Sequence, residues 1–129
     1  MKISDVAKRT GLDAKTIRYY ESIDLVGSPP RRANGYREYT EQGIQQLGFL
    51  CKARKFGFSI NECRVLLGLW ANPNRRSAEV HGLVTEKVRD IDAHILELKS
   101  MKKVLSDLLA QCPGNESPNC SIISKLAAE

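Results

Sequence analysis

The 129-residue chain has no uninterrupted apolar stretch long enough to cross a bilayer. Such a span needs roughly 18 or more apolar residues. The opening MKISDVAKRTG has no apolar run of signal-peptide length either, so the expected location is the cytoplasm, with no membrane partner. The cysteines are few, at positions 51, 63, 112 and 120, and no two have CxxC spacing. With no βαβ pattern around them, a thiol oxidoreductase is disfavoured. About one domain plus an extension fits in this length, which leaves little room for a large enzyme core, and we expect no catalytic activity.

The excess of positive charge is confined to one half of the chain. Residues 1–60 hold eleven Lys or Arg against six Asp or Glu, a net of +5, whereas residues 61–129 hold nine against nine. A basic half joined to a neutral half suits a nucleic-acid module attached to something else, because counterion release drives such binding. An ordinary basic surface is the plainer alternative.

Local signals divide the basic half into short helices. Ile3, Val6 and Ala7 follow helical spacing until Gly11, and Asp13 can cap a second helix running to about Glu21. In that second helix Ile17 and Tyr20 share an inward side, while Lys15, Arg18 and Tyr19 share an outward one. Two short helices joined through Gly11 to Asp13 form a helix-turn-helix, with the outward face of the second placed to enter a major groove. Pro29 and Pro30 then stop regular structure, and Asn34-Gly35 is a strong hairpin signal. The expected product is a two-stranded wing. From it Arg31, Arg32 and Arg37 would reach phosphates, with Tyr36 and Tyr39 packing the ribbon or donating hydrogen bonds.

Beyond the wing, Thr40 caps a helix to about Lys55 carrying Ile44, Leu47, Leu50 and Cys51. Ser59 and Glu62 then form a capping box for a helix ending at Asn72-Pro73. Cys51 and Cys63 read as small buried hydrophobes within these helices. Ser77 is expected to cap the longest helix, about Ala78 to Gln111, with an apolar stripe of Val80, Val84, Val88, Ile91, Ile95, Leu98, Met101, Leu105 and Leu108. That stripe suits a coiled-coil seam. A helix of this length spans roughly 50 Å, so a second copy of the chain is the expected cover. Packing against the chain's own first half is the competing possibility. His81 and His94 are expected on or beside the helix surface.

The helix is followed by Cys112-Pro-Gly-Asn-Glu-Ser-Pro-Asn-Cys120 and a short apolar-sided helix from Ser121 to Ala128. Pro113, Gly114 and Pro118 make the loop a structured turn that can bring the two sulfurs face to face. No histidine, methionine or third cysteine lies between them. Two thiolates suit a soft ion, and a disulfide or two unrelated thiols stay open from the loop alone.

The order of elements resembles the MerR family of metal-responsive transcription activators. The residues that carry the resemblance are ISDVAKRTGLDAKTIRYYE, NGYREYT, LGFLCKARKFGFS and CPGNESPNC, which together span nearly the whole chain. The closest branch looks like the copper-efflux regulators. The resemblance implies a mainly α protein with a winged helix-turn-helix DNA-binding domain at 1–72 and a linker and long antiparallel coiled-coil dimerisation helix at 73–111. A metal-binding loop and short terminal helix would follow at 112–129. It implies metal binding by Cys112 and Cys120, with Ser77 of the partner subunit nearby, and DNA contacts from Lys15, Arg18, Tyr19, Tyr36 and Arg37. The implied ligand is Cu(I), with Ag(I) or Au(I) as alternatives. The implied partners are promoter DNA, RNA polymerase and a second copy of the chain, and the implied outcome is activation of metal efflux or detoxification genes. Relatives that sense divalent ions carry a third cysteine at the start of the dimerisation helix, where this chain has Ser77. Two sulfurs satisfy a monovalent coinage-metal ion, whereas zinc prefers four ligands; mercury(II), which also accepts two thiolates, is excluded less strongly. Drug sensors carry a longer carboxy-terminal domain and redox members a denser cysteine cluster. A copper chaperone or buffer is the rival from another class, separable by sequence-specific DNA binding.

Overall fold

Six helices account for the regular structure of this computed structural model, which describes residues 1–31, 35 and 37–129. They are α1 (Ile3–Thr10), α2 (Ala14–Ser22), α3 (Glu41–Lys55), α4 (Ile60–Ala71), α5 (Ser77–Gln111) and α6 (Ser121–Ala127). The chain divides into two compact units, Met1–Leu83 and Val84–Glu129.

In the first unit the helix ends follow from side chains close in sequence. Asp13 accepts a hydrogen bond from the Thr16 amide at 2.7 Å, and Thr40 accepts one from Gly43 at 3.1 Å. Ser59 and Glu62 close a reciprocal capping box. Gly11 terminates α1 at φ 80°, and a side chain there would meet Cys51 Sγ at 3.3 Å, so the position is glycine for both conformation and space. The end of α2 is built differently. Asp24 sits at φ 55°, the Leu25 amide reaches back to the Tyr20 carbonyl at 3.0 Å, and the Asp24 amide reaches Glu21 at 3.1 Å. This is a Schellman closure. The carbonyls of Ile23 and Asp24 are taken up by Arg64 of α4, each at 3.0 Å.

These ends bring α1, α2, α3 and α4 around one core, in which Val6, Ile17, Leu47, Leu50 and Cys63 are the largest fully buried side chains. Cys51 and Cys63 are both buried free thiols, in keeping with a packing role. A bidentate pair from Arg9 to Glu41, at 2.6 and 3.1 Å, ties α1 to α3 on the surface.

Two sequence expectations change. Ser77 is the first residue inside α5 rather than its cap; the Glu79 amide bonds to the Arg76 carbonyl at 3.0 Å, so the helix begins one residue earlier than its hydroxyl suggested. The wing is also slighter than a ribbon. Among the described residues its only ladder is an isolated antiparallel bridge between Arg31 and Arg37. Arg32, Asn34 and Tyr36, and with them the predicted turn, lie outside the described residues.

The second unit is the rest of α5, the loop and α6. Along α5 the predicted apolar row stands exposed from Val84 through Val88, Ile91, Ile95, Leu98, Met101 and Leu105, and only Leu108 is buried. No helix among the described residues is long and apolar enough to cross a membrane.

Candidate metal centre and nucleic-acid interface

The first site starts where α5 runs out. The Cys112 amide still bonds to the carbonyls of Leu108 and Leu109, at 3.1 and 3.2 Å, so this thiol is carried on the last turn of a long helix. Gly114 takes φ 64°, which reverses the chain at low steric cost. Short side chains then shape the loop: Asn115 Oδ1 accepts from the Ser117 amide at 2.9 Å, and Ser117 Oγ from the Asn119 amide at 3.2 Å. Cys120 follows as the N-cap residue of α6. The result sets Cys112 Sγ and Cys120 Sγ 3.4 Å apart, both half-buried. A disulfide would need about 2.05 Å.

Hydrogen bonding from the Ile123 amide, and then from the Cys112 thiol and the Ile122 amide, holds the Cys120 thiol below the ordinary cysteine range. The same amides favour an anionic complex. Among the described residues there is no group of three or more His, Cys, Asp or Glu that could hold a metal ion. Two thiols this close would be able to hold one soft ion between them, and they would supply it with thiolate ligands. Ser77 lies at the opposite end of α5 from Cys112, and His81, His94 and Met101 are all exposed on that helix.

The second site is on the first unit. Lys15, Arg18 and Tyr19 lie on the outward face of α2, and Tyr19 is 52% exposed although Ile17 and Tyr20 beside it are buried. Lys15 and Arg18 are both exposed and enter no salt bridge among the described residues. Arg18 also lines an open hollow of about 1070 Å³ with Lys2, Arg31 and Arg37. Of the residues predicted to meet DNA, Arg18 and Arg37 share this hollow, whose lining also includes Asp5 and Glu38, while Lys15 and Tyr19 lie outside it.

Arg37 is placed differently from the others. Its half-buried guanidinium pairs with Glu21, the buried carboxylate at the end of α2, and Tyr39 donates to the other oxygen of Glu21 at 2.9 Å. Hydrogen bonding with Tyr39, then attraction to Glu21, holds Arg37 above the ordinary arginine range against the cost of burial. Burial raises the Tyr39 phenol, which keeps it a neutral donor. Sequence reasoning did not single out Glu21. A carboxylate in the last turn of a short helix looks like solvated surface, and its two partners lie 16 and 18 residues away.

Comparison with known proteins agrees with these elements. Residues 1–69 match the model of the MerR HTH family regulatory protein, and residues 44–108 match the model described as MerR, DNA binding. The chain is 49% identical over 127 residues to the HTH-type transcriptional regulator CueR of Yersinia pestis, covering 98% of this chain and 91% of that one. It is 42% identical to the regulator HmrR of Rhizobium leguminosarum bv. viciae, covering 98% of each. Among solved structures it is similar to the transcription regulator PbrR691 from Ralstonia metallidurans CH34 in complex with lead(II), at 31% identity and TM-score 0.81, covering 98% of this chain and 99% of that one. With a family model spanning its first 69 residues and relatives this similar along almost all of its length, the chain belongs to the MerR family of helix-turn-helix transcription regulators.

Proposed function

We propose that the protein is a homodimeric, metal-responsive activator of transcription in which Cys112 and Cys120 bind Cu(I), with Ag(I) or Au(I) as alternative ligands. The observation that carries the reading is the pair of thiols 3.4 Å apart, joined by no further Cys, His, Asp or Glu into a larger cluster among the described residues. A linear bis-thiolate site satisfies a monovalent soft ion and leaves zinc two ligands short. A complex of one such ion with two thiolates has net charge −1, which the Ile122 and Ile123 amides at Cys120 accommodate. The names of the CueR relatives and the lead complex of PbrR691 support metal as the signal.

Lys15, Arg18 and Tyr19 act as the DNA-reading face, with Tyr36 contributed by the wing region; Arg37, expected from the sequence to contact DNA itself, pairs with Glu21 instead. The functional division follows: residues 1–72 read DNA, 73–111 dimerise, and 112–129 sense. The exposed apolar row of α5 is covered by the partner's α5, an arrangement that brings the partner's Ser77 toward the loop. A twofold dimer places two reading helices on paired half-sites.

Coupling requires that the ion prefer one arrangement of the dimer on DNA. The ion draws the helix end at Cys112 and the start of α6 at Cys120 into one fixed geometry, and the apolar side of α6 then docks. Family resemblance implies a promoter with an overlong spacer, which the metal-bound dimer bends and untwists so that RNA polymerase engages both promoter elements. Such deformation costs on the order of 1–6 kcal/mol, within reach of a change in protein contacts. Cys112→Ser and Cys120→Ser should each abolish copper-induced transcription from the cognate promoter and leave dimer mass and operator binding intact. Full induction in either variant would refute the site.

A further inference from the structure

The cluster of Glu21, Arg37 and Tyr39 has a function distinct from phosphate contact. We infer that Glu21 is a positioning residue for DNA recognition: it draws in Arg37 and Tyr39, and so fixes the chain after the wing against the end of the reading helix. The inference rests on the reading of α2 and the wing region as the DNA-contacting elements.

Three observations carry it. Glu21 is only 4% exposed, yet both its carboxylate oxygens are occupied, one by the Arg37 guanidinium and the other by the Tyr39 hydroxyl. Arg37 is also one half of the Arg31–Arg37 bridge, so the contact acts on the base of the wing and not on a loose side chain. Glu21 stands on the turn after Arg18, at i+3, so the anchor and the foremost DNA-reading cation share one short helix. A guanidinium so committed is a poor phosphate ligand, because moving to phosphate would leave a buried carboxylate with only Tyr39. Arg18, Arg31 and Arg37 line one hollow, so the contact acts at its wall.

The charge change separates this role from its rivals. Removing the negative charge of Glu21 makes the surface more basic, which by electrostatics alone should tighten DNA binding. Positioning requires the opposite. Operator affinity and its salt dependence should be measured for the full-length dimer carrying Glu21→Gln, Arg37→Gln, both together, and Tyr39→Phe, with thermal melting recorded for each. Both single Gln variants should weaken binding by about tenfold. The slope of log K against log salt should stay unchanged, and the double variant should cost no more than the worse single. Tyr39→Phe, which removes one hydroxyl, should fold and weaken binding less, again at unchanged slope; it decides the matter if the Gln variants melt below the assay temperature.

A slope reduced by about 0.9 in Arg37→Gln would make Arg37 a phosphate contact and overturn the inference. Unchanged or tighter binding by Glu21→Gln, even with a lower melting temperature, would also overturn it by reducing the cluster to fold stability. Arg18→Ala is the separate control. If it keeps full affinity at matched salt, the DNA-reading assignment itself fails.

Discussion

The two units of this chain solve opposite problems with similar helices. In Met1–Leu83 four helices enclose a core, and every buried apolar side chain among the described residues except Leu108 lies in this unit. In Val84–Glu129 a helix of comparable apolar content leaves its row open, with Leu98 60% exposed. The first unit buries its core within one copy of the chain. The second leaves its apolar row for a partner to cover, as the proposed division into a reading half and a sensing half requires. Elements that change partners on a signal come from the part of a fold with fewer internal contacts.

Substitutions in the two units should therefore fail in different ways. The largest effect on folding is expected at Leu47, 2% exposed: Leu47→Ala should cost about 2–5 kcal/mol, measured by denaturant unfolding. That loss should be nearly independent of protein concentration per copy once dimer formation is saturated. Ile95→Asp should act through assembly instead. It should leave the circular dichroism of the first unit's helices in place, shift the sedimenting species toward monomer, and weaken operator binding, since paired half-sites then lose their linkage. An Ile95→Asp protein that sediments as a stable dimer would show that the row is covered some other way.

A smaller effect belongs to the sensing loop. Because the Ile123 amide is the main cause of the depressed Cys120 pKa, the depression should survive removal of the neighbouring thiol. In Cys112→Ser the pH profile of alkylation at Cys120 should have its midpoint below that of a free cysteine, about 8.5. Cys51 and Cys63 are buried and should contribute little. For metal binding the sign follows from proton competition: affinity falls as pH falls through the thiol pKa values, and a lowered Cys120 value extends strong binding toward acid.

The smallest effect is expected at the start of the reading helix. The Asp13 carboxyl is held below its usual range by the Thr16 amide. Its contribution is present above the unfolded carboxyl value and is lost as pH falls through the folded one. Melting of Asp13→Ala should therefore differ from the parent protein near neutrality and converge with it in acid.

What the sequence made legible follows the range of the interactions. Asp13, Thr40 and the Ser59–Glu62 box could be read directly because a cap and its amide lie three residues apart. The Cys112 and Cys120 pair was legible because the seven residues between them, with two prolines and a glycine, leave the sulfurs few places to go. The apolar row of α5 was equally plain from its spacing. Arg64 on the end of α2 was not, since its partners lie 40 and 41 residues back. Glu21 was missed for the same reason, and with it the commitment of Arg37 to an internal partner. A cation in a predicted wing reads as a phosphate contact until the carboxylate that faces it is known. Ser77 shows the limit at a helix end: a hydroxyl before an apolar run suggested a cap, and the carbonyl of Arg76 closes the first turn instead.

The central claim is that two thiolates and no third donor make this dimer a switch for a monovalent ion. The most direct measurement is in vitro transcription from the cognate promoter with Cu(I), Ag(I), Au(I), Hg(II) and Zn(II) at buffered free concentrations. Activation by the three monovalent ions, with none by Zn(II), is the predicted result. Activation by Zn(II) in place of the monovalent ions would contradict the two-sulfur account.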